Sequence, residues 1–539
     1  MAKILLLADK SEVFTHKLLT ALRQVNAAHE YHLVDAGHVC ELSNGARRPS
    51  CCVYLPSRIG HDGMLPNLIA ARQALKQVAQ STIPKVVLVS SALIYGAGCE
   101  RQSLASEECA LPGDQGRTIS NDWNTLEALA AESLNGDAQL TVLRPVTILS
   151  SSDFLASLLQ RQFVSTLPGH DPTLQFLSVS DLAKALICAA EQGKGGTFNV
   201  APDKVVPLHA AVRLAKRRRL PIPRTLQRLV RSNDTLDYLR YPWTVLNSKI
   251  KKELGFTPLK SSVAAILERQ PVEEGVPREE PDFDEFGMDA GYLRFYSRTL
   301  FKFVCDYYWR IEVKGLEHVP RQGAGILIGP HRGFMPFDGV MTIHVITRNT
   351  GRPPRFLAHS GLLKFPFLSN FLTKLGCITA SQETAGRVLQ SGQLLGLFPE
   401  GINGAFSRYR DAYKLQAFGR DAFVKLAIQH QVPILPFLIV GSAEIFPILG
   451  KIKSQRWTRY TEWPCLPITP TFPLLPVPLP SKWHMQFLPA IHVEEQYPAE
   501  AAHDSSVVKA ISLDVRAKMQ QVWDEMRARR KAIFWGSIF

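Results

Sequence analysis

The sequence has no run of hydrophobic residues long enough to cross a membrane. Its nearest candidate, 432–449, is interrupted by three prolines and a glutamate, whereas a spanning helix needs about 20 consecutive apolar residues. The apolar stretch at 4–8 is too short for a signal peptide and is typical of a buried strand. We therefore expect no obligate transmembrane segment, which leaves attachment to a membrane surface open.

The nine cysteines form no CxxC pair and no Cys/His spacing typical of a metal site. The adjacent Cys51 and Cys52 are the only close pair. An odd count without a disulfide framework is typical of a reducing cytosol. We therefore expect a cytoplasmic protein that binds no metal ion.

Acidic residues are outnumbered, with 48 Asp and Glu against 62 Lys and Arg and a net charge of +14. This excess predicts an acidic partner, which could be anionic lipid, nucleic acid or a phosphorylated or CoA-linked substrate. No nucleic-acid-binding motif accompanies the basic clusters, so nucleic acid is not expected. The clusters 216–219 and 527–531 would strengthen attraction to an anionic membrane surface, although each is also explained as a solvated face.

The segment 271–289 is rich in Pro, Gly, Glu and Asp, which is typical of a solvated linker. It divides a chain too long for one hydrophobic core into domains 1–270 and 290–539. In the first domain, apolar strands alternate with helical patterns, which predicts a parallel sheet covered by helices on both faces. The predicted elements are strands 4–8, 31–34, 51–55, 86–89 and 140–143, helices 15–24 and 65–80, a strand at 323–328 and a last helix over 506–531.

Several sequence blocks of the first domain are similar to motifs of a known family. They are VVLVSSALIYG at 86–96, LRP at 143–145, LSVSDLA at 177–183, GTFNV at 196–200 and ELGFTP at 253–258. Together they resemble the extended short-chain dehydrogenase/reductase family of NAD-dependent nucleotide-sugar epimerases and dehydratases. The resemblance implies a Rossmann-like, doubly wound parallel sheet.

The residues that would carry this family's chemistry are missing. The family's glycine-rich turn lets the backbone approach a pyrophosphate, but here the turn is the segment 9–14 and the first glycine is Gly37. The family's Tyr–Lys pair, which transfers a proton, is also absent, because 96–237 contains no tyrosine and 86–183 no lysine. We therefore expect a degenerate domain that binds no NAD(P) and acts as a scaffold or regulator.

Two residues of this domain could still have a functional role. Asp35 follows the second strand and could meet a ribose hydroxyl, and Ser91 stands at the family's catalytic serine position. A turn residue and a strand-end hydrogen-bonding residue explain them at least as well. A bifunctional protein, whose first half is still an NAD(P)-dependent oxidoreductase or epimerase, remains the alternative.

Three blocks of the second domain are GAGILIGPHRGFMPFDG at 323–339, LLGLFPEG at 394–401 and VPILPF at 432–437. In this order and spacing they resemble the glycerolipid acyltransferase superfamily, whose members acylate lysophospholipids and glycerol phosphate. The resemblance runs from about Leu293 to the C-terminus. It implies an α/β acyltransferase domain similar to 1-acylglycerol-phosphate acyltransferases, needing no cofactor and using acyl-CoA or acyl carrier protein as donor.

The resemblance also assigns roles to residues. His331 would act as general base on the acceptor hydroxyl, and Asp338 would hold its other ring nitrogen. Substrate binding is assigned to Phe398, Pro399, Glu400, Gly401, Arg408, Lys414, Arg420 and Pro436. The chain departs from the family pattern in having six rather than four residues between His331 and Asp338.

A second departure concerns the acceptor. Asn403 stands where many phosphate-accepting members have an arginine, and asparagine cannot replace that charge. Either Arg408, Arg410, Lys414 or Arg420 supplies a cation, or the acceptor is a neutral glycerolipid; the sequence leaves both open.

The segment 292–309 mixes aromatic and basic residues at helical intervals. It could lie in the headgroup layer of an anionic membrane, or it could be a helix that covers the core. We expect a cytoplasmic protein attached peripherally to the inner face of a membrane. A non-enzymatic lipid-binding protein is the remaining alternative, and the intact His331 and 398–401 block weigh against it.

Overall fold

The computed structural model describes residues 2–35, 49–59, 63–81, 83–98, 104–112, 118–134, 138–151, 153–223, 225–226, 233–269, 281–363, 365, 367–419, 421–475 and 477–539. The chain forms two compact units, Met1–Gly287 and Met288–Phe539. Their boundary falls inside the segment 271–289. The prediction that this segment is solvated is wrong around Phe283 and Phe286, which are 2% and 7% exposed, because both aromatic rings are withdrawn from water. Residues 271–280 lie outside the described residues.

A six-stranded parallel sheet is the centre of the first unit. Its strands are β1 Lys3–Leu7, β2 Glu30–Val34, β3 Cys51–Tyr54, β4 Lys85–Val89, β5 Gln139–Pro145 and β6 Gly196–Val200. They lie in the order β6-β5-β4-β3-β1-β2. The chain thus adds strands to one side of β1 and then to the other, which is the doubly wound topology. The predicted Rossmann-like sheet is confirmed.

Helices connect these strands. They are α1 Val13–Val25, α2 Leu68–Gln80, α3 Thr118–Ser133, α4 Phe154–Leu158, α5 Val179–Gln192, α6 Leu208–Leu214, α7 Asn233–Arg240, α8 Ser248–Leu254 and α9 Ser262–Leu267. Helix α1 packs on α5, and α2 packs on α3. The Asn67 side chain caps α2 by accepting from the Ala70 N–H, and Ser178 caps α5 in the same way. Capping of this kind satisfies N–H groups that have no partner inside the helix.

The second unit is built on a seven-stranded sheet. Its strands are β7 Glu312–Lys314, β8 Gly325–Ile328, β9 Arg355–Ala358, β10 Ile378–Thr379, β11 Leu394–Leu397, β12 Ile434–Val440 and β13 His484–Phe487. The order is β7-β13-β12-β8-β11-β9-β10, and every pair is parallel except β12 with β13. Strand β12 is buried along its whole length. This unit is the α/β domain that the sequence predicts.

The helices of the second unit follow the strands as in other α/β domains. They are α10 Ala290–Arg298, α11 Leu300–Phe303, α12 Phe337–Thr350, α13 Ser360–Leu363, α14 Leu368–Leu375, α15 Gln382–Gln390, α16 Gly401–Ala405, α17 Ala422–His430, α18 Gln455–Thr461 and α19 Ser505–Arg529. A π-helical turn, Val304–Tyr308, continues from α11. Across the described ranges, none of the helices is long and apolar enough to span a bilayer.

Candidate active site

Parallel pairing brings two of the sequence blocks together. Strands β8 and β11 are neighbours, with Ile328 opposite Leu397. His331 follows β8 by three residues and Phe398 follows β11 directly. The carboxyl ends of parallel strands meet at one edge of the sheet, which is where α/β proteins place their sites.

His331 and Asp338 form a buried pair. The Nδ1 atom of His331 lies 3.0 Å from Oδ2 of Asp338, and the same oxygen accepts the Arg332 backbone N–H at 2.6 Å. Asp338 is fully buried in the first turn of α12, where the helix dipole favours a negative charge. Gly333, at φ +64°, adopts a left-handed conformation in the loop between the two residues. The six intervening residues therefore still permit the contact.

This geometry defines which nitrogen of His331 is available as a base. A carboxylate accepts from Nδ1–H, so the neutral ring keeps Nε2 unprotonated. The imidazole stacks on the Phe398 ring, with centroids 4.6 Å apart and planes at 20°. Packing and hydrogen bonding together hold the ring orientation.

A buried ion pair lies beside this dyad. Arg332 and Glu400 form two hydrogen bonds of 2.9 and 3.1 Å, and both side chains are 2% exposed or less. The other three N–H donors of Arg332 bond to the backbone carbonyls of His331, Ala412 and Lys414. All five donors of the guanidinium are therefore used. Glu400 also accepts the Gln416 backbone N–H at 2.7 Å.

A cavity of about 610 Å³ opens in front of His331. Its walls are mostly aromatic and aliphatic, including Phe334, Phe356, Phe406 and Trp463. A volume of this size and lining is typical of small-molecule and lipid sites.

The predicted substrate-binding residues separate into two groups. Those that line the cavity with His331 are Phe398, Pro399, Glu400 and Gly401. Those that do not are Arg408, Lys414 and Pro436. Arg420 lies outside the described residues.

The second group is placed elsewhere for simple reasons. Arg408 and Lys414 are exposed, and Lys414 contributes its backbone carbonyl to Arg332 rather than its ammonium group to the cavity. Pro436 is opposite Ile328 in the middle of the sheet, before the carboxyl end of β12. The structure therefore does not place these three residues at the cavity with His331, and their role in substrate binding stays a prediction.

Some site residues were not predicted. Arg332 stands next to His331 and was not among the predicted site residues. His359 and Trp463 also line the cavity. The one available signal was a charged residue within an apolar block, because a buried arginine needs an acidic partner and Glu400 ends the neighbouring strand.

The carboxyl edge of the first sheet is filled by its own side chains. Arg144 makes two hydrogen bonds to Glu127, at 2.9 and 2.7 Å, and a third to the Tyr95 hydroxyl at 2.7 Å. Tyr95 in turn donates to Asn199, and Ser90 donates to Glu127. The hydrogen-bonding capacity of these polar groups is therefore used within the protein.

A space of about 20 Å³, the size of a single water molecule, lies beside the carboxyl ends of β3 and β4. Glu12, Phe14, Arg58 and Trp123 line it. The Arg58 guanidinium lies over the Trp123 ring at 5.2 Å, so two large side chains occupy the crevice.

The contacts of Ser91 and the position of Asp35, the two weak candidates of the first domain, follow from the fold. Ser91 is 3% exposed, and its hydroxyl accepts the Leu93 N–H at 3.3 Å, which caps the turn Ala92–Tyr95. Asp35 follows β2 and is half-buried.

The C-terminal basic cluster is not wholly available to a partner. Arg530 bonds Glu444 at 2.7 Å, Ser481 at 3.1 Å and the Tyr413 hydroxyl at 3.2 Å, and its side chain is 8% exposed. Burial, followed by the Glu444 charge, raises the pKa of Tyr413 well above its ordinary value. Within the cluster 527–531, the charge of Arg530 is therefore already paired inside the protein.

A buried histidine, paired with an aspartate and facing an apolar cavity at the carboxyl ends of parallel strands, is an arrangement suited to acyl transfer. The model of the family described as Acyltransferase matches residues 310–440, which include His331, Asp338 and Glu400. The C-terminal half of this chain therefore belongs to the acyltransferase family, and the predicted resemblance to glycerolipid acyltransferases is confirmed.

Curated relatives are similar over parts of the chain. The uncharacterised protein Rv0502 of Mycobacterium tuberculosis is 37% identical over 259 residues, which is 47% of this chain and 72% of that protein. The "DGAT1/2-independent enzyme synthesizing storage lipids" of Bos taurus is 30% identical over 164 residues, which is 30% of this chain and 48% of that protein.

Solved structures are similar over the other half. MoeE5 in complex with UDP-glucuronic acid and NAD has 16% identity and a TM-score of 0.39, covering 49% of this chain and 96% of that chain. Human epimerase family protein SDR39U1 with NADPH has 18% identity and a TM-score of 0.40, covering 49% and 98%. Similarity at this level does not indicate what this half of the chain binds.

Proposed function

We propose that the second domain transfers a fatty acyl group from acyl-CoA or acyl carrier protein to a glycerolipid hydroxyl. The observation that carries the proposal is the 3.0 Å contact of His331 with Asp338 at the wall of an apolar cavity. The name of the bovine relative, an enzyme synthesizing storage lipids, supports a lipid acceptor.

The reaction uses one proton carrier. Nε2 of His331 takes the acceptor's hydroxyl proton while the oxygen attacks the thioester carbonyl carbon. Asp338 stabilises the imidazolium that forms. The tetrahedral intermediate then collapses, the carbon–sulfur bond breaks, and the leaving thiolate takes the proton from Nε2. An ester and a free thiol result, and the base is regenerated.

We also propose that the domain works at the cytoplasmic face of an anionic membrane. The segment 292–309 has a buried face, and its other face exposes Phe295, Phe303 and Tyr307 by 61%, 56% and 67%. Exposed Arg294, Arg298 and Lys302 accompany these rings. Aromatic rings beside basic residues favour the headgroup layer. Sedimentation with phosphatidylglycerol vesicles, set against phosphatidylcholine vesicles, tests this attachment.

For the first domain we propose a scaffold or regulatory role without dinucleotide chemistry. The filled crevice at Trp123 and the paired Arg144 and Glu127 support this role. Titration with NADH, followed by cofactor fluorescence, tests it: saturable binding would favour the bifunctional alternative.

The test of acyl transfer compares wild type with His331→Ala, in liposomes, using labelled oleoyl-CoA and then oleoyl-acyl carrier protein. Loss of a general base lowers the rate by roughly 10²–10⁴-fold. Equal transfer by both proteins would refute the role of His331. No transfer from either donor would favour the non-enzymatic lipid-binding alternative.

A further inference from the structure

The acyl-transfer cavity is poor in positive charge. Among its lining residues that the structure describes, the ionisable ones are His331, His359 and Glu400, and none is lysine or arginine. The Nδ1 atom of His359 accepts the Gly361 N–H at 3.0 Å. Neither His359 nor the base His331 presents a fixed cation to a substrate.

The buried guanidinium of Arg332, beside the cavity, already has a partner for every N–H donor. Arg332 uses all five N–H donors, two of them on Glu400 and three on backbone carbonyls. A phosphate could recruit this guanidinium only by breaking the fully buried pair with Glu400. Such a rupture leaves an uncompensated carboxylate in the interior, which is strongly unfavourable.

The position that could face a phosphate holds a neutral side chain. Asn403 lines the cavity at an exposed position, whereas Arg408 and Lys414 are not among its lining residues. Glu400, on the same wall, is already paired with Arg332. Among the described lining residues, an anion entering the cavity would therefore lose hydration without gaining a free cationic partner.

We propose that the acceptor is a neutral lipid hydroxyl, as in a mono- or diacylglycerol, with no phosphate beside the reacting group. The inference rests on the acyl-transfer function proposed above and specifies its substrate class. In lysophosphatidate the phosphate is carried by the carbon next to the one bearing the hydroxyl. A reacting hydroxyl at His331 would thus draw the phosphate into the apolar cavity with it. A glycerol hydroxyl flanked by esters brings no charge.

The experiment uses the full chain, labelled oleoyl-CoA and phosphatidylcholine vesicles that contain diacylglycerol, monoacylglycerol or lysophosphatidate at equal mole fraction. We expect a kcat/KM for a neutral acceptor that exceeds that for lysophosphatidate by roughly 10-fold or more, because the phosphate must be desolvated. The net charge of +14 attracts the protein to lysophosphatidate vesicles, so surface binding works against this result. Lysophosphatidate as the preferred acceptor would overturn the inference while leaving acyl transfer established. Absence of transfer to all three acceptors would instead count against the proposed function itself.

Two variants sharpen the outcome. Asn403→Arg places a guanidinium at the cavity wall and should raise lysophosphatidate transfer relative to diacylglycerol, whereas Asn403→Gln is the neutral control and should not. Arg420→Gln should leave the acceptor preference unchanged. A loss of lysophosphatidate transfer specific to Arg420→Gln would identify that arginine as a phosphate ligand and overturn the inference.

Discussion

The two halves of this chain differ at the carboxyl edge of their sheets: the first has side chains packed there, and the second has an open cavity. In both, loops leave the carboxyl ends of parallel strands, where α/β folds usually bind ligands. In the first unit, Trp123 and Arg58 border a space of about 20 Å³, and the polar groups of Arg144 and Glu127 bond to each other. In the second, His331 faces about 610 Å³.

Charged groups are used differently in the two sites. The pair Arg144–Glu127 lies at the carboxyl edge of the first sheet, and its charged groups are bonded to each other. The pair Arg332–Glu400 lies beside His331, and Arg332 also donates to the backbone carbonyl of that histidine. A shared architecture thus determines where a site can be, and the side chains determine whether one exists.

Asp338→Asn should lower kcat by about 10²–10⁴-fold, because the amide no longer selects the tautomer or stabilises the imidazolium. Its pH–rate profile should change as well, which loss of a merely structural residue would not cause. The matched control is Asp514→Asn, an exposed carboxylate paired with Lys518 on α19. Similar kinetics for both variants would contradict the role of Asp338.

Arg332→Met should destabilise the second unit by about 3–5 kcal/mol, since it leaves Glu400 buried and unpaired. Hydrogen exchange of peptides from β8 and β11, read by mass spectrometry in the full chain, measures this loss locally. The double variant Arg332→Met/Glu400→Leu removes both charges and should restore part of the protection. A double variant less stable than the single variant would contradict this account of the buried ion pair.

Glu127→Leu should destabilise the first unit by about 2–4 kcal/mol, because Arg144 remains charged and buried. Its acyl-transfer rate should stay within about two-fold of wild type, as the network has no part in the second site. Peptide-level hydrogen exchange and the oleoyl-CoA assay measure the two effects in one preparation. Glu132→Leu, an exposed position on the same helix α3, controls for the lost carboxylate. A large loss of transfer in Glu127→Leu alone would show that the halves are functionally coupled.

His344 should make the second unit less stable in mild acid. Burial, with the Arg348 charge second, lowers the pKa of His344 to about 4, while an unfolded histidine titrates near 6.5. Between these values the unfolded state binds more protons, so stability falls as pH falls, by up to about 1.4 kcal/mol per pH unit. Thermal unfolding across this window should show a shallower dependence for His344→Leu. The exposed His492→Gln should keep the wild-type slope, and an unchanged slope in His344→Leu would contradict the assignment.

Strand and helix positions were largely predictable from sequence. The predicted strand 86–89 and helix 506–531 correspond to Lys85–Val89 and Ser505–Arg529, because apolar periodicity and capping act within a few residues. The missing glycine turn and the three acyltransferase blocks are also local features. They were enough to give the fold of each half and the histidine–aspartate pair.

What the tertiary structure alone decided depends on contacts between distant residues. Arg332 and Glu400 are 68 positions apart, and the cavity wall gathers His359, Asn403 and Trp463 from separate loops. The crevice of the first unit is closed by Arg58 and Trp123, whose types alone do not reveal that they meet. Likewise, Arg408 and Lys414 carry the charge a phosphate needs, yet the chain directs them to solvent. Local propensity determines the elements, whereas loop paths and packing determine which side chains share a site.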